Sequence, residues 1–206
     1  MATGRRPSTS RAELERVALD LFTSRGFEET TVDDVAAAAG IGRRTFFRYY
    51  ASKNDLVWGD FAGELARLRA WFAAVPAGAP LMESIRRAVV EFNRYPPEQG
   101  PRHRERMALI LNVPSLLANS TLKFVQWRGV IADFVADRLE LAADELFPTV
   151  IGHCALGASI AAYEAWLRDE SADLTEVLDA ALEVLTSDFT PPAGARSRAG
   201  SRGPRR

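Results

Sequence analysis

The sequence predicts an all-α protein, with a small N-terminal head of three helices followed by a larger helical domain. Three observations lead there. Apolar residues recur at helical spacing through most of the chain, and strand-like alternation is nearly absent. Hydroxyl side chains that cap helices (Ser10, Thr31 and Ser52) punctuate the first sixty residues. Charge also divides the chain into blocks, which separates a head from a body and a tail.

Ser10 followed by Glu13 has the pattern of a capping box, and Leu14, Val17, Ala18, Leu21 and Phe22 then give a first helix one apolar face. Gly26 ends that helix, since glycine takes the left-handed cap without a Cβ penalty, and Phe27 folds back onto it. Thr31 caps a second, short helix with Asp33 and Asp34 in its first turn, where the helix dipole favours negative charge. Val32, Val35, Ala36 and Ala39 are its packing face, and Gly40-Ile41-Gly42 breaks it. A third segment spans 43–50. Ser52 and Asp55 open a fourth helix, read as continuous to about Val75, with Phe61, Leu65, Leu68 and Phe72 on one stripe.

Beyond Pro76 the pattern stays helical. Leu81, Ile85, Ala88, Val89 and Phe92 form one stripe, Pro96, Pro97, Gly100 and Pro101 make a stiff loop, and 102–113 is a short helix. From 115 to about 141, Leu122, Val125, Phe134, Val135 and Leu139 are read as the buried side of a long helix. From Pro148 to Arg168, Gly152, Ala155, Gly157, Ala158, Ala161 and Ala162 alternate with larger apolar residues. From Leu174 a final helix carries a broad apolar face.

Residues 1–56 hold nine Lys/Arg and eight Asp/Glu, 57–188 hold twelve and nineteen, and 189–206 hold five arginines and no acid. The acidic middle is a poor surface for a polyanion, so it is assigned to sensing rather than to DNA. The tail lacks apolar residues to bury and is expected to be disordered. No apolar run is read as approaching the ~20 residues that span a bilayer, and no apolar stretch follows the basic residues of 1–7. No membrane segment or secretory leader is therefore expected, and the expected location is the cytoplasm. One cysteine, Cys154, and two distant histidines, His103 and His153, leave no internal disulfide and no Cys/His zinc cluster, so neither metal nor other cofactor is expected. No phosphate loop or nucleophile elbow is present, and His153 beside Cys154 points about 100° away on a helix, so no catalytic residue is assigned.

Two short helices joined by a tight glycine turn, the second rich in arginine and aromatics, meet the needs of a helix-turn-helix, whose second helix enters the major groove. Arg43 and Arg44 sit where docked recognition helices present side chains to base edges. A bidentate contact to guanine from either is worth roughly 1–3 kcal/mol of discrimination. Thr45 suits a thymine methyl or a phosphate, Phe46 points inward, and Phe47, Arg48 and Tyr49 follow the groove and its phosphate walls. Thr31 and Lys53, at two helix starts, complete the expected DNA-binding set.

Residues 31–53, TVDDVAAAAGIGRRTFFRYYASK, closely resemble the DNA-binding signature of the tetracycline-repressor (TetR) family. Leu21-Phe22 and Arg25-Gly26-Phe27 extend the likeness over 10–56. Gly42 stands where the family often has a capping serine or threonine, and Phe47 where it usually has a tyrosine whose hydroxyl meets phosphate. The strings Trp58-Gly59-Asp60-Phe61 and Glu91-Phe92-Asn93-Arg94 point to one subgroup of that family.

The resemblance implies a flexible arm over 1–9, a DNA-binding domain over 10–56 with the fourth helix as linker, and a ligand-binding and dimerisation domain over 57–188. It also implies a bacterial, DNA-associated homodimer formed by the last two helices, which would read a palindromic operator as a repressor. Two-fold symmetry would set the recognition helices one DNA turn, ~34–36 Å, or a multiple apart. The effector expected is a small apolar molecule, with an acyl-coenzyme A as the specific suggestion. Phe124, Trp127, Phe134 and Trp166 would enclose its chain, and Arg102, Arg104 and Arg106 would hold its phosphates. Two other readings remain at this point: a nonspecific architectural DNA binder working through the arginine tail, and a helical enzyme.

Overall fold

The computed structural model describes residues 10–186; the expected N-terminal arm and arginine-rich tail lie outside them. Among the described residues there are ten α-helices and no strand. They are α1 (Arg11–Arg25), α2 (Val32–Ala38), α3 (Arg43–Tyr49), α4 (Lys53–Trp58), α5 (Phe61–Ala73), α6 (Leu81–Phe92), α7 (Gly100–Asn112), α8 (Pro114–Leu139), α9 (Leu146–Arg168) and α10 (Leu174–Glu183), with a 3-10 turn at Pro97–Gln99 before α7.

The local signals act largely as read. Ser10 Oγ accepts from the Glu13 amide, although the Glu13 carboxylate pairs with Arg16 instead of closing the box. Thr31 and Asp34 make the full reciprocal box at α2. Gly26, at φ 96°, lets the chain turn so that Phe27 meets Phe22 edge-on at 4.9 Å. At seven residues α3 is too short to hold as an isolated helix. Its anchor is Phe46, fully buried among Leu14, Phe22 and Val35, a burial worth roughly 1.5–3 kcal/mol.

Three expectations are corrected. The fourth helix does not run unbroken to Val75: Gly59 takes φ 60°, which ends α4, and Asp60 caps a new helix by accepting from the Gly63 amide. On α8 only part of the stripe is buried. Phe134 and Val135 are inside, but Leu122 is 73% exposed, and Val125 and Leu139 also face outward. The third concerns α9. Residues 146–163 contain no Asp, Glu, Lys or Arg, and the helix is long and apolar enough to cross a membrane by length and composition. Its glycines and alanines hid this, because they lower bulk without adding polarity.

Helix α9 instead lies between α8 and α10, with Gly152, Ala155, Ser159 and Ala162 buried. A Cβ on Gly152 would fall 2.7 Å from the Arg128 carbonyl oxygen, so α8 and α9 touch backbone to backbone there. Arg138 on α8 donates to the carbonyls of Pro76, Ala77 and Ala79 and fixes the α5–α6 loop. The buried residues form one continuous core from Leu14 and Phe46 in the head to Ile131 and Leu178 in the body. Head and body are packed together, which lets a change in one be felt in the other.

Candidate functional site

The outer face of α3 carries Arg44, Phe47 and Arg48, all exposed and spaced i, i+3, i+4 on one side of the helix. Phe46 and Tyr50 point inward on the opposite side. Thr45 and Tyr49 are half-buried at the edges. Arg43 is exposed but engaged, paired with Asp33 at 2.7 Å and lying over the Phe47 ring at 5.3 Å. This pair ties the start of α3 to α2. Arg44 makes no ion pair among the described residues. Thr31 is committed to capping α2.

Lys53 does not reach outward. Its ammonium donates to the carbonyls of Phe27, Glu28 and Thr30 and sits 4.2 Å from the centre of the Phe27 ring. With its three donors taken by the α1–α2 loop, the expected phosphate contact is replaced by a clip that sets α4 against the head. A one-dimensional reading sees a cation at a helix start and no sign of the carbonyls that surround it.

Beneath the head, α5, α7, α8 and α9 enclose a cavity of about 280 Å³, near the lower end for small-molecule sites. Phe61, Met107, Ile110, Phe124, Trp127 and Ile160 give it an apolar wall. Glu15, Asp60, Glu64, Asn93, His103 and Arg106 give it a polar end. A larger recess of about 500 Å³, between Trp71, Pro76 and Arg87 at the α5–α6 loop, lies away from these groups.

Of the seven residues expected to bind effector, Arg106, Phe124 and Trp127 line this cavity and four do not. Phe134 stacks on Phe72 at 4.2 Å in the core. Trp166 donates its indole N–H to the Ala172 carbonyl, closing the α9–α10 turn. Arg104 lies 4.0 Å over the Trp166 ring and donates to the Trp166 carbonyl. Arg102 pairs with Asp20 on α1 at 3.2 Å. The arginines do not form one cluster because alternate residues on a helix project about 200° apart. Arg104 therefore faces away from Arg102 and Arg106.

The polar end has a defined hydrogen-bond order. The Asn93 amide nitrogen donates to the Val89 carbonyl at 2.8 Å, and Tyr163 donates its hydroxyl proton to Asn93 Oδ1 at 2.5 Å. His103 Nε2 lies 2.8 Å from the same hydroxyl. Burial, aided by the Arg106 charge, lowers the His103 pKa to about 3, and burial raises that of Tyr163. Both are neutral at ordinary pH. Trp58 Nε1, Glu64 Oε2, His103 Nδ1 and Arg106 Nε are buried without a hydrogen-bond partner. Glu64 is ion-paired with Arg67 at 2.6 Å. Sequence reading missed His103, Tyr163 and Asn93, which lie sixty and seventy residues apart and share no local pattern.

Glu15 on α1 joins cavity and head. One carboxylate oxygen accepts from Tyr50, at the end of α3, at 2.5 Å, and the other lies 3.1 Å from Arg106. Burial first, and then the hydrogen bond to Glu15, push the Tyr50 pKa upward, so the phenol keeps its proton.

A short exposed helix of arginines and an aromatic, held by a helix-turn-helix core and packed above an apolar cavity, defines a DNA-binding transcriptional regulator rather than an enzyme. The chain belongs to the TetR family of bacterial regulators: residues 16–57 match the family's N-terminal model, and 79–190 match the MftR C-terminal domain. It is 44% identical over 182 residues, 88% of this chain and 92% of its relative, to the "Putative mycofactocin biosynthesis transcriptional regulator MftR" of Mycobacterium tuberculosis. It is 33% identical over 144 residues to the HTH-type transcriptional regulator TcmR of Streptomyces glaucescens, covering 67% of this chain and 64% of that one. Its fold is shared with the repressor FadR of Thermus thermophilus in complex with lauroyl-CoA, at a TM-score of 0.58 and 23% identity over 94% of this chain and all of the other. The fatty acid degradation regulator FadR of Bacillus halodurans shares it at a TM-score of 0.63 and 14% identity, over 86% of this chain and 98% of that one.

Proposed function

We propose that this regulator is a repressor that binds a palindromic operator as a homodimer in the bacterial cytoplasm, where it is held at the nucleoid by its DNA, and is released by a small apolar effector. The observation that carries the reading is the Glu15 bridge, which connects the cavity wall to the end of the recognition helix. In the apo dimer the two heads stand at operator spacing. An effector that binds better to another arrangement of α7 and α1 shifts the population away from it. Residues 10–56 are the DNA-binding part and 57–188 the effector and dimer part.

Within the head, Arg44 and Arg48 are the principal contacts, with Arg43, Thr45, Phe47 and Tyr49 completing the surface. Thr31 and Lys53 hold its shape. Dimerisation through α9 and α10 is supported by what α9 leaves uncovered. Val150, His153, Cys154, Gly157 and Ala161 form one exposed stripe of mostly small or apolar residues, with Leu146 and Phe147 at its start. A second copy laid across this face under two-fold symmetry covers it as a four-helix bundle, in place of a bilayer.

For the effector, the apolar wall accepts an acyl chain, and a protein of the same fold is known in complex with lauroyl-CoA. If an acyl-CoA is the effector, its phosphates lie outside the cavity, since Arg102 and Arg104 are turned elsewhere and Arg106 is paired. Selection from random-sequence DNA tests the whole reading. The expected result is a palindrome whose half-sites are one helical turn or a multiple apart, bound by two chains per duplex. Enrichment of no motif, or of a single half-site bound by one chain, overturns it.

A further inference from the structure

We propose that Asp33 on α2 is a positioning residue for DNA specificity. Its carboxylate holds Arg43 as a pair without net charge, which reads a guanine in the major groove and gives little to the phosphates. The proposal rests on the reading of α3 as the recognition helix and divides its cations by role.

Arg43 opens α3, and Asp33 lies in the first turn of α2. Arg43 Nη1 donates to Asp33 Oδ2 at 2.7 Å, across the glycine turn. The guanidinium carbon also lies 5.3 Å from the centre of the Phe47 ring, one turn further along α3. Two contacts therefore restrict a side chain that would otherwise sample many rotamers. Part of the entropy lost in docking an arginine is lost before DNA arrives.

A guanidinium carries five N–H donors in one plane, and Asp33 takes one of the two on Nη1. The edge formed by Nε and Nη2 has no partner among the described residues. Its two parallel N–H groups match the adjacent acceptors of guanine, O6 and N7. Adenine sets a donor beside N7, thymine has a single acceptor, and cytosine presents a donor, so none of them fills the fork.

Charge supplies the second half of the argument. The side chains of Arg43 and Asp33 are 59% and 63% exposed, so their pairing adds only modestly to stability. Its larger effect is on the field, because a phosphate beside the pair meets both charges at once. Arg44 and Arg48 make no ion pair among the described residues and attract phosphate whatever the sequence. An arginine with a carboxylate beside it strengthens the specific complex and adds little to the nonspecific one. That raises the ratio of the two affinities, which is specificity.

The test is fluorescence anisotropy of the full chain over a salt series. The probes are a duplex enriched from random-sequence DNA by the unaltered protein, versions with each base pair of the half-site replaced symmetrically, and a shuffled duplex. In Arg43→Ala, selectivity should fall about 5- to 150-fold per half-site at a single G·C pair. The salt slope of that variant on shuffled DNA should stay nearly unchanged, whereas Arg48→Ala should lower it by about one unit per head. Asp33→Asn should have two opposite effects. It should tighten binding to shuffled DNA, with a slope steeper by up to about one unit per head, and weaken selection at the same G·C pair. Asparagine keeps the shape of aspartate and leaves the Asp34 cap untouched, and a purely structural loss in α2 would weaken binding to every duplex alike. A full unit of slope lost in Arg43→Ala, intact selectivity at every G·C pair in that variant, or uniform weakening in Asp33→Asn each overturns the proposal. Failure of the unaltered chain to enrich any motif overturns the recognition-helix reading with it. A motif that Arg44→Ala abolishes and Arg43→Ala leaves intact removes this proposal alone.

Discussion

Tyr50, at the end of the recognition helix, donates its hydroxyl to Glu15, and the same carboxylate holds Arg106 of the cavity wall on its second oxygen. Three helices distant in sequence, α1, α3 and α7, thus meet at one ion. Glu15 and Arg106 are 20% and 28% exposed at their side chains, low enough for the pair to matter energetically. Gly59 lies against the same carboxylate, with a Cβ built there only 3.0 Å from Glu15 Oε2, so the α4–α5 break also borders the junction.

A double-mutant cycle on this junction is expected to be non-additive. Glu15→Ala and Arg106→Ala should each lower stability by about 1–3 kcal/mol, because each leaves a partly buried partner unpaired. The double variant should lose less than the sum, with a coupling energy of about 1 kcal/mol by urea denaturation. Additive losses would remove the junction from the account.

The cations of the head should separate by role. Arg44→Ala is expected to weaken operator binding by roughly 1–3 kcal/mol and to relax preference at one base pair. Arg43→Ala should change both affinity and head stability, since Arg43 also ties α3 to Asp33. Lys53→Ala should lower the melting temperature while leaving the salt dependence of DNA binding nearly unchanged, because its ammonium is held by three backbone carbonyls. A full unit of lost salt slope in that variant would restore Lys53 to the phosphate surface.

Gly152→Ala tests the α8–α9 contact. The added methyl would lie 2.7 Å from a backbone oxygen that cannot swing aside, so the helices must part. The expected cost is about 1–3 kcal/mol by thermal or chemical denaturation. Gly157→Ala, where nothing lies within 4 Å of the added carbon, should leave the protomer's packing intact and report only on contacts made in the dimer.

His103 should shape the acid limb of stability. Its folded pKa is lowered to about 3 by burial and by Arg106, whereas the unfolded chain protonates it near 6.5. Its contribution is complete above about 6.5. As pH falls below that value the unfolded state binds the extra proton, and stability declines towards about 3 with a slope of up to about 1.4 kcal/mol per pH unit for this one group. Folded-state stability measured between pH 7 and 4 should fall less steeply in His103→Gln. An unchanged slope would mean that the imidazole is not held neutral.

The legible part of this molecule was what short-range chemistry decides. Thr31 with Asp34, Gly26 with Phe27, and Phe46 inside with Arg44 outside all follow from spacing over a few residues. The illegible part depended on partners far along the chain. Apolar spacing carries the fourth helix straight through Gly59, and the positive φ there and the Asp60 cap emerge only with the packing of α5. Leu122 and Leu139 matched a buried pattern but lie on the far side of α8 from the core. Arg102, Arg104 and Arg106 are close in sequence and divergent in space. His103, Tyr163 and Asn93 are the reverse.

Fluorescence anisotropy of the full chain on DNA from upstream of its own gene, against shuffled DNA over a salt series, tests the central claim most directly. The account predicts tight binding of two chains to the native duplex, weak binding to the shuffled one, and loss of that difference in Arg44→Ala. Equal, steeply salt-dependent binding to both duplexes, unaltered by Arg44→Ala, would contradict it and leave only attraction to phosphate.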